Sequence, residues 1–222
     1  MKKYSVAFVF VVVVGQFAHA TNQQEARVTE VVRQVHLLES QAAPRPATVN
    51  ATVREGAAVR TGTDSRAELT FTDLSITRLG ADTVFSFNPV TRTYDLGSGA
   101  ILISAPKGAG TVRIKTAIAT CAVNGFTAIV ERRANSHNKF ILLNGDGVFT
   151  LNKFPQNPCR LHYGQAVISP SNPTRPPHVC DVDLSKVLNG RLVHDFKHKL
   201  PESALISANI EKQKETASEA QR

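Results

Sequence analysis

Thr61-Gly62-Thr63-Asp64-Ser65-Arg66-Ala67-Glu68-Leu69-Thr70-Phe71-Thr72-Asp73 is the stretch whose reading decides the fold. Ala67, Leu69 and Phe71 alternate with Glu68, Thr70 and Thr72. In an extended chain the first set points to one face and the second to the other. Turn-forming residues bracket the run on both sides. The same rhythm returns at Arg78-Leu79-Gly80, at Asp95-Leu96-Gly97-Ser98-Gly99-Ala100 and at Pro106-Lys107-Gly108.

Working outward, the spacing predicts strands at 67–71, 75–79, 84–87, 92–96, 100–104, 112–116, 119–123, 127–132, 140–143 and 148–151. Turns separate them, among them Gly97-Ser98-Gly99 and Gly145-Asp146-Gly147. Turn signals arrive about every 8–12 residues and no long helical pattern intervenes, which points to an all-β fold and away from a parallel α/β sheet. A compact β-roll, a sandwich or a small solenoid-like coil of short strands all fit this periodicity. Upstream, 26–38 reads as strand, with 30–38 also readable as helix. Residues 41–46 read as a loop, and 48–53 and 59–61 as further short strands.

The order of these motifs resembles the FecR-like domain family, named after the periplasmic part of the ferric-citrate sensor. The resemblance rests on T-G-x-x-S-R-A-E-L-x-F-x-D, then R-L-G-x-x-T, then the L-x-x-G step and the Pro-Lys-Gly turn. It covers 53–151 within a β domain spanning 26–151. The resemblance implies a compact β-roll acting in signal relay across a cell envelope. The family usually places a Gly-Thr pair after an apolar run where this chain has Asn124-Gly125-Phe126-Thr127; Gly125 is expected to supply a bulge or a close backbone approach. Full-length relatives carry a cytoplasmic segment and a membrane span. This chain resembles their periplasmic part alone, and direct anti-sigma activity is not carried over to it.

Residues 1–20 have the layout of a secretory signal: Lys2 and Lys3, an apolar run over 4–17, then Ala18-His19-Ala20, with cleavage expected between Ala20 and Thr21. The run is shorter than the roughly 20 residues of a spanning helix. The expected location is therefore periplasmic or exported. The chain carries a net charge of +8; without Lys2 and Lys3 it has 24 basic against 18 acidic residues, or +6. These basic residues are scattered, which favours a solubilising surface over nucleic-acid binding.

Cys121, Cys159 and Cys180 would meet an oxidising compartment. Joining Cys159 to Cys180 would close a loop of about twenty residues, worth roughly 3 kcal/mol in the chain-entropy model. Three free thiols are the alternative, and Cys121 reads as a small core residue. Beyond 151 the character changes. Residues 152–180 hold a strand pair around Tyr163-Gly164-Gln165 and a proline-rich linker. Short helices are expected over 181–216, with Asp183 as a cap and Leu205, Ile206, Asn209 and Ile210 as an apolar stripe. The charged end from Lys212 should fray, and 217–222 should be disordered.

Asp64, Ser65, Arg66 and Glu68 form the sharpest polar cluster. Asp64, Arg66 and Glu68, taken together with Arg78, are candidate partner-binding residues through charge-assisted hydrogen bonds, but turn and cross-strand roles explain each residue type better. On that reading Arg66 pairs with Glu68 or Asp73. Pro106-Lys107-Gly108-Ala109-Gly110 lacks the phosphate-loop spacing. His194 and His198 stand four apart without an H-E-x-x-H pattern, so a solvated face is favoured over a metal site. No pair has spacing that demands acid-base or nucleophilic chemistry. The sequence is therefore read as non-enzymatic, with no catalytic residue, cofactor or metal. It is an exported binding or relay module acting through protein contacts. The rival is an envelope structural protein that binds glycan or another anionic polymer through Arg60, Arg66, Arg113 and Lys115.

Overall fold

The computed structural model describes residues 25–219. The expected signal segment and its Ala20/Thr21 cleavage site lie outside the described residues, as does the end of the tail after Glu219. Fifteen strands make one continuous, mostly antiparallel sheet, followed by three helices.

The sheet folds over to form two layers. The first consists of β1 (Ala26–Val32), β6 (Arg66–Phe71), β7 (Ile76–Leu79), β14 (Gln165–Pro170) and β15 (Val179–Asp181). The second consists of β2 (Val35–Leu38), β5 (Ala58–Thr61), β8 (Val84–Asn88), β10 (Thr111–Lys115) and β13 (Cys159–His162). Three long strands, β9 (Thr93–Ala105), β11 (Ala119–Arg132) and β12 (His137–Leu151), run through both layers. The first half of β9 pairs with β8 and β10, and its second half with β7 and β11. Short β3 (Arg45–Pro46) and β4 (Thr52–Val53) flank β2 and β1. The architecture is thus the all-β roll among the expected alternatives.

Glycines make the corners. Gly97-Ser98-Gly99 and Gly145-Asp146-Gly147, expected to end strands, instead bend β9 and β12 without breaking them. In β11 the register shifts between Asn124 and Thr127 around Gly125, which is the bulge of the two expected alternatives. Gly145 has φ +88°, and a Cβ there would stand 2.5 Å from the Gly125 carbonyl oxygen. Only glycine tolerates both the backbone angle and that approach. The expected single strand over 26–38 breaks at Arg33, whose φ is +61°. Arg45 and Pro46, expected in a loop, pair with β2.

Between the layers lies the main core. Leu69, Phe71, Leu79, Ile101, Ile103, Ala128 and Val130 meet Phe85, Phe87, Tyr94, Leu96, Ile114 and Phe149 there. The aromatic residues interlock: Phe71 stacks on Tyr94 at 5.1 Å and meets Phe87 edge-on at 4.9 Å. Such pairs add about 0.5–1.5 kcal/mol each to simple burial. The outer face of the first layer carries a second apolar cluster, in which Leu102, Ile141, Leu143 and Ala166 are capped by Leu184, Leu200 and Ile206.

That outer face is where the C-terminal segment docks. Helix α1 (Leu184–Leu188) starts at Asp183, whose carboxylate accepts from the Ser185 backbone N–H at 3.0 Å. The Ser185 hydroxyl and that amide hold the Asp183 carboxyl below its ordinary range. A short α2 (Arg191–His194) follows, then α3 (Ser203–Glu219). Helix α3 continues well past Lys212, where fraying was expected. Ile206 is its buried anchor, Asn209 donates to the Leu143 carbonyl at 3.2 Å, and Gln213 donates to the Val182 carbonyl at 2.7 Å.

Candidate functional site

One transverse row of the first layer organises the candidate site. Strand pairing aligns Glu30, Glu68, Arg78, Leu102, Ile129, Ile141, Ala166 and Cys180 side by side. In an antiparallel sheet, directly opposed residues share a face. The row is charged at the β1 end and apolar at the β15 end. Helices α1 and α3 cover the apolar end, and the segment from Arg191 to His198 covers the charged end.

Glu68 and Arg78 are 1% and 0% exposed. The Arg78 Nε donates to Glu68 Oε2 at 3.0 Å. Its Nη1 donates to the carbonyls of Leu192 (3.3 Å) and Val193 (3.0 Å), and its Nη2 to that of His198. The guanidinium also lies 4.7 Å from the Phe196 ring centroid. Glu68 Oε1 accepts from the Thr29 hydroxyl at 2.9 Å and faces His198 Nδ1 at 3.1 Å. Glu30, directly opposite Glu68, accepts from the Lys197 backbone N–H at 3.0 Å and lies 3.7 Å from Arg66. Two like charges on one row would repel. Arg78, Arg66 and the donors of the C-terminal segment compensate them.

A buried ion pair contributes little net stability unless its remaining donors and acceptors are satisfied. Here backbone carbonyls of the docked segment satisfy Arg78. The network therefore works as a latch that fixes where residues 191–198 sit.

Of the four residues expected at a partner-binding surface, Glu68 and Arg78 are buried inside this latch and only Asp64 stands exposed on a turn. Arg66 pairs with Glu30, not with Glu68 or Asp73. Asp73 is engaged by Arg92 at 3.3 Å. Sequence reasoning missed Glu30 and the whole docked segment. The latch residues His198 and Lys197 had a signal only in the spacing of the two histidines, and that spacing was read for helix geometry. In fact α2 ends at His194 and His198 lies beyond it. No cluster with metal-binding composition occurs among the described residues.

Between the latch and the tip of the β11–β12 hairpin lies a groove of about 600 Å³. Gly80, Ala100, Ile129, Leu192 and Phe196 give it an apolar lining, and charged residues ring it. On the opposite side of the molecule, the second layer exposes a flat face. Arg113, Ala122, Val148 and Arg160 align across it. Strand β13 pairs with β12 alone, so its outer edge has no strand neighbour among the described residues.

Of the four basic residues expected on one face, three share the outer face of the second layer and Arg66 does not. Arg66 sits under the docked segment, Arg113 and Lys115 stand on exposed positions of β10, and Arg60 on β5. The cysteines also depart from expectation, since all three are free. Cys159 aligns with Phe149 and Cys121 on the inner face, whereas Cys180 ends the outer row beside Ala166. The sheet itself separates Cys159 from Cys180, and no bridge forms. Burial pushes both the Cys121 and Cys159 thiols up in pKa, so neither is an activated thiolate.

The class defined by this geometry is a two-layer β-roll with a helical C-terminal cover, whose buried polar groups hold the cover in place. Residues 57–146 match the family model described as FecR protein, and that stretch is the motif-bearing body of the roll. Two crystal structures of a protein described as an anti-sigma factor candidate, from Parabacteroides distasonis ATCC 8503, share the fold. They superpose with TM-scores of 0.51 and 0.53 at 14% and 15% identity, over 60% and 62% of this chain. The chain spans 65% and 64% of their lengths, just under two thirds. Comparison with curated proteins gave no match. Among the described residues no helix is long and apolar enough to cross a membrane.

Proposed function

We propose that the protein is an exported, non-catalytic binding module that relays a signal in the cell envelope through protein contacts. The observation that carries this reading is the FecR match over 57–146, seated on a roll whose second layer ends in an open strand. An unpaired edge offers a row of backbone donors and acceptors to a partner strand. Strand β13 is the candidate edge. Arg160 and His162 are exposed on it, while Leu161 anchors it to the core. The positive start, apolar run and Ala18-His19-Ala20 of the first residues support export.

Site-specific photocrosslinking in the native envelope tests the reading. A photoreactive residue at position 160 should give a discrete protein adduct, and the same residue at position 60, on distant β5, should not. No adduct at 160, or the same adduct at both positions, would contradict edge docking.

A further inference from the structure

The groove beneath α2 has an electrostatic imbalance that the fold leaves unresolved. Every carboxylate lining it already has a partner. Glu131 is held by Arg133 and by Lys139 at 3.4 Å. Asp195 is held by Arg191 at 3.1 Å, and Asp82 accepts from the Thr63 hydroxyl at 3.2 Å. Of the four arginines that line it, Arg133 and Arg191 are those partners, and the other two are held less closely. Arg66 lines the groove, yet its guanidinium makes no hydrogen bond among the described residues, and its Nε is buried without an acceptor. Its ion-pair partner is Glu30 at 3.7 Å, beyond hydrogen-bond reach, whose other carboxylate oxygen accepts from the Lys197 backbone N–H, and the guanidinium lies 5.8 Å from the Phe196 ring centroid. Arg132, also on the groove wall, has no ion pair among the described residues.

A guanidinium presents five donors in a fixed fork that matches a carboxylate. In Arg66 the Nε is the donor buried without an acceptor, and leaving it so is costly. Beside Arg66 the lining is apolar and close to the backbone, with Gly80 and Ala100 on the sheet side and Leu192 and Phe196 on the helical side. The volume suits a small ligand.

We propose that this groove binds a carboxylate carried on a short apolar or aromatic stem. The acid group engages Arg66, and the stem lies between Ala100, Ile129 and Leu192. The inference goes beyond the edge-docking reading and uses a different face of the molecule. Because the helical wall belongs to the C-terminal segment, a ligand spanning the groove binds only when that segment is docked. Occupancy therefore tightens the segment onto the sheet.

Full-length protein is titrated with benzoate and, as neutral control, benzamide. Thermal midpoint and hydrogen exchange of residues 190–198 are both followed. At about ten times the dissociation constant the midpoint should rise by about 3–5 °C, with slowed exchange over 190–198. Benzamide should do neither. Arg66→Gln should weaken benzoate by about tenfold or more, the loss of a charge-assisted hydrogen bond. Arg113→Gln on the opposite face should bind as the parent does. Arg66→Lys, which keeps the charge, should retain part of the affinity and so separates binding from a folding defect.

A peptide ending in a free phenylalanine carboxylate, set against its amide, distinguishes the sources. Tighter binding of the acid peptide than of benzoate assigns the site to a chain end, and the reverse assigns it to a free acid. Equal responses to benzoate and benzamide, no response to any of these acids, or unchanged affinity in Arg66→Gln would overturn the proposal. Loss of crosslinking at position 160 has no bearing on these outcomes.

Discussion

Replacing Arg78 by methionine probes the latch most sharply. The substitution keeps a long apolar stem and removes the guanidinium. Glu68 would then be a carboxylate 1% exposed, facing only Thr29 and His198. The carbonyls of Leu192, Val193 and His198 would lose their shared donor. Breaking a buried pair from one side costs about 3–5 kcal/mol. For a chain of this size that corresponds to a midpoint lower by about 6–20 °C. Glu68→Gln should cost less, because the amide oxygen still accepts from Arg78 while its NH2 can donate to the Thr29 hydroxyl. The double variant should then lose less than the sum of the two singles, by about 1–3 kcal/mol. Urea unfolding of the four proteins measures all terms of the cycle. A loss under about 1 kcal/mol for Arg78→Met, or strict additivity in the double variant, would refute the reasoning.

Further outcomes follow from other parts of the fold. Gly145→Ala should destabilise by at least about 2 kcal/mol in the same assay, because the new Cβ meets the Gly125 carbonyl in a left-handed backbone. Burial alone would push the Glu131 carboxyl up, but the Arg133 hydrogen bond and the Lys139 charge outweigh it and the net pKa is lowered. Its contribution is therefore full above the ordinary carboxylate range and lost as pH falls through the lowered value. Glu131→Gln should flatten the acid limb of the stability–pH curve below about pH 4.5. Thiol titration should find all three cysteines reactive after unfolding without reductant, and Cys121 unreactive in the folded protein.

The glycine rhythm made the roll legible, because period-two alternation between turn residues has few other solutions. It misled at Gly97–Gly99 and Gly145–Gly147. A glycine that bends a strand and one that ends it look alike until the partner strands are known. The Asp183 cap and the strand pair around Gly164 were legible for local reasons. The latch was not, since Arg78 finds its acceptors on backbone carbonyls more than a hundred residues away. Backbone carbonyls leave no mark in a sequence. The cysteine pairing failed for a related reason: distance along the chain says nothing about which face of a sheet each thiol occupies.

The most direct measurement is native-state hydrogen exchange on the intact chain, comparing β6 and β7 with residues 191–198. If the C-terminal segment is part of the roll's structure, amides such as Lys197, bonded to Glu30, exchange slowly in the parent. Arg78→Met should then accelerate that segment more than β9 or β11. Rapid exchange over 191–198 in the parent, at rates of unstructured chain, would contradict the latch.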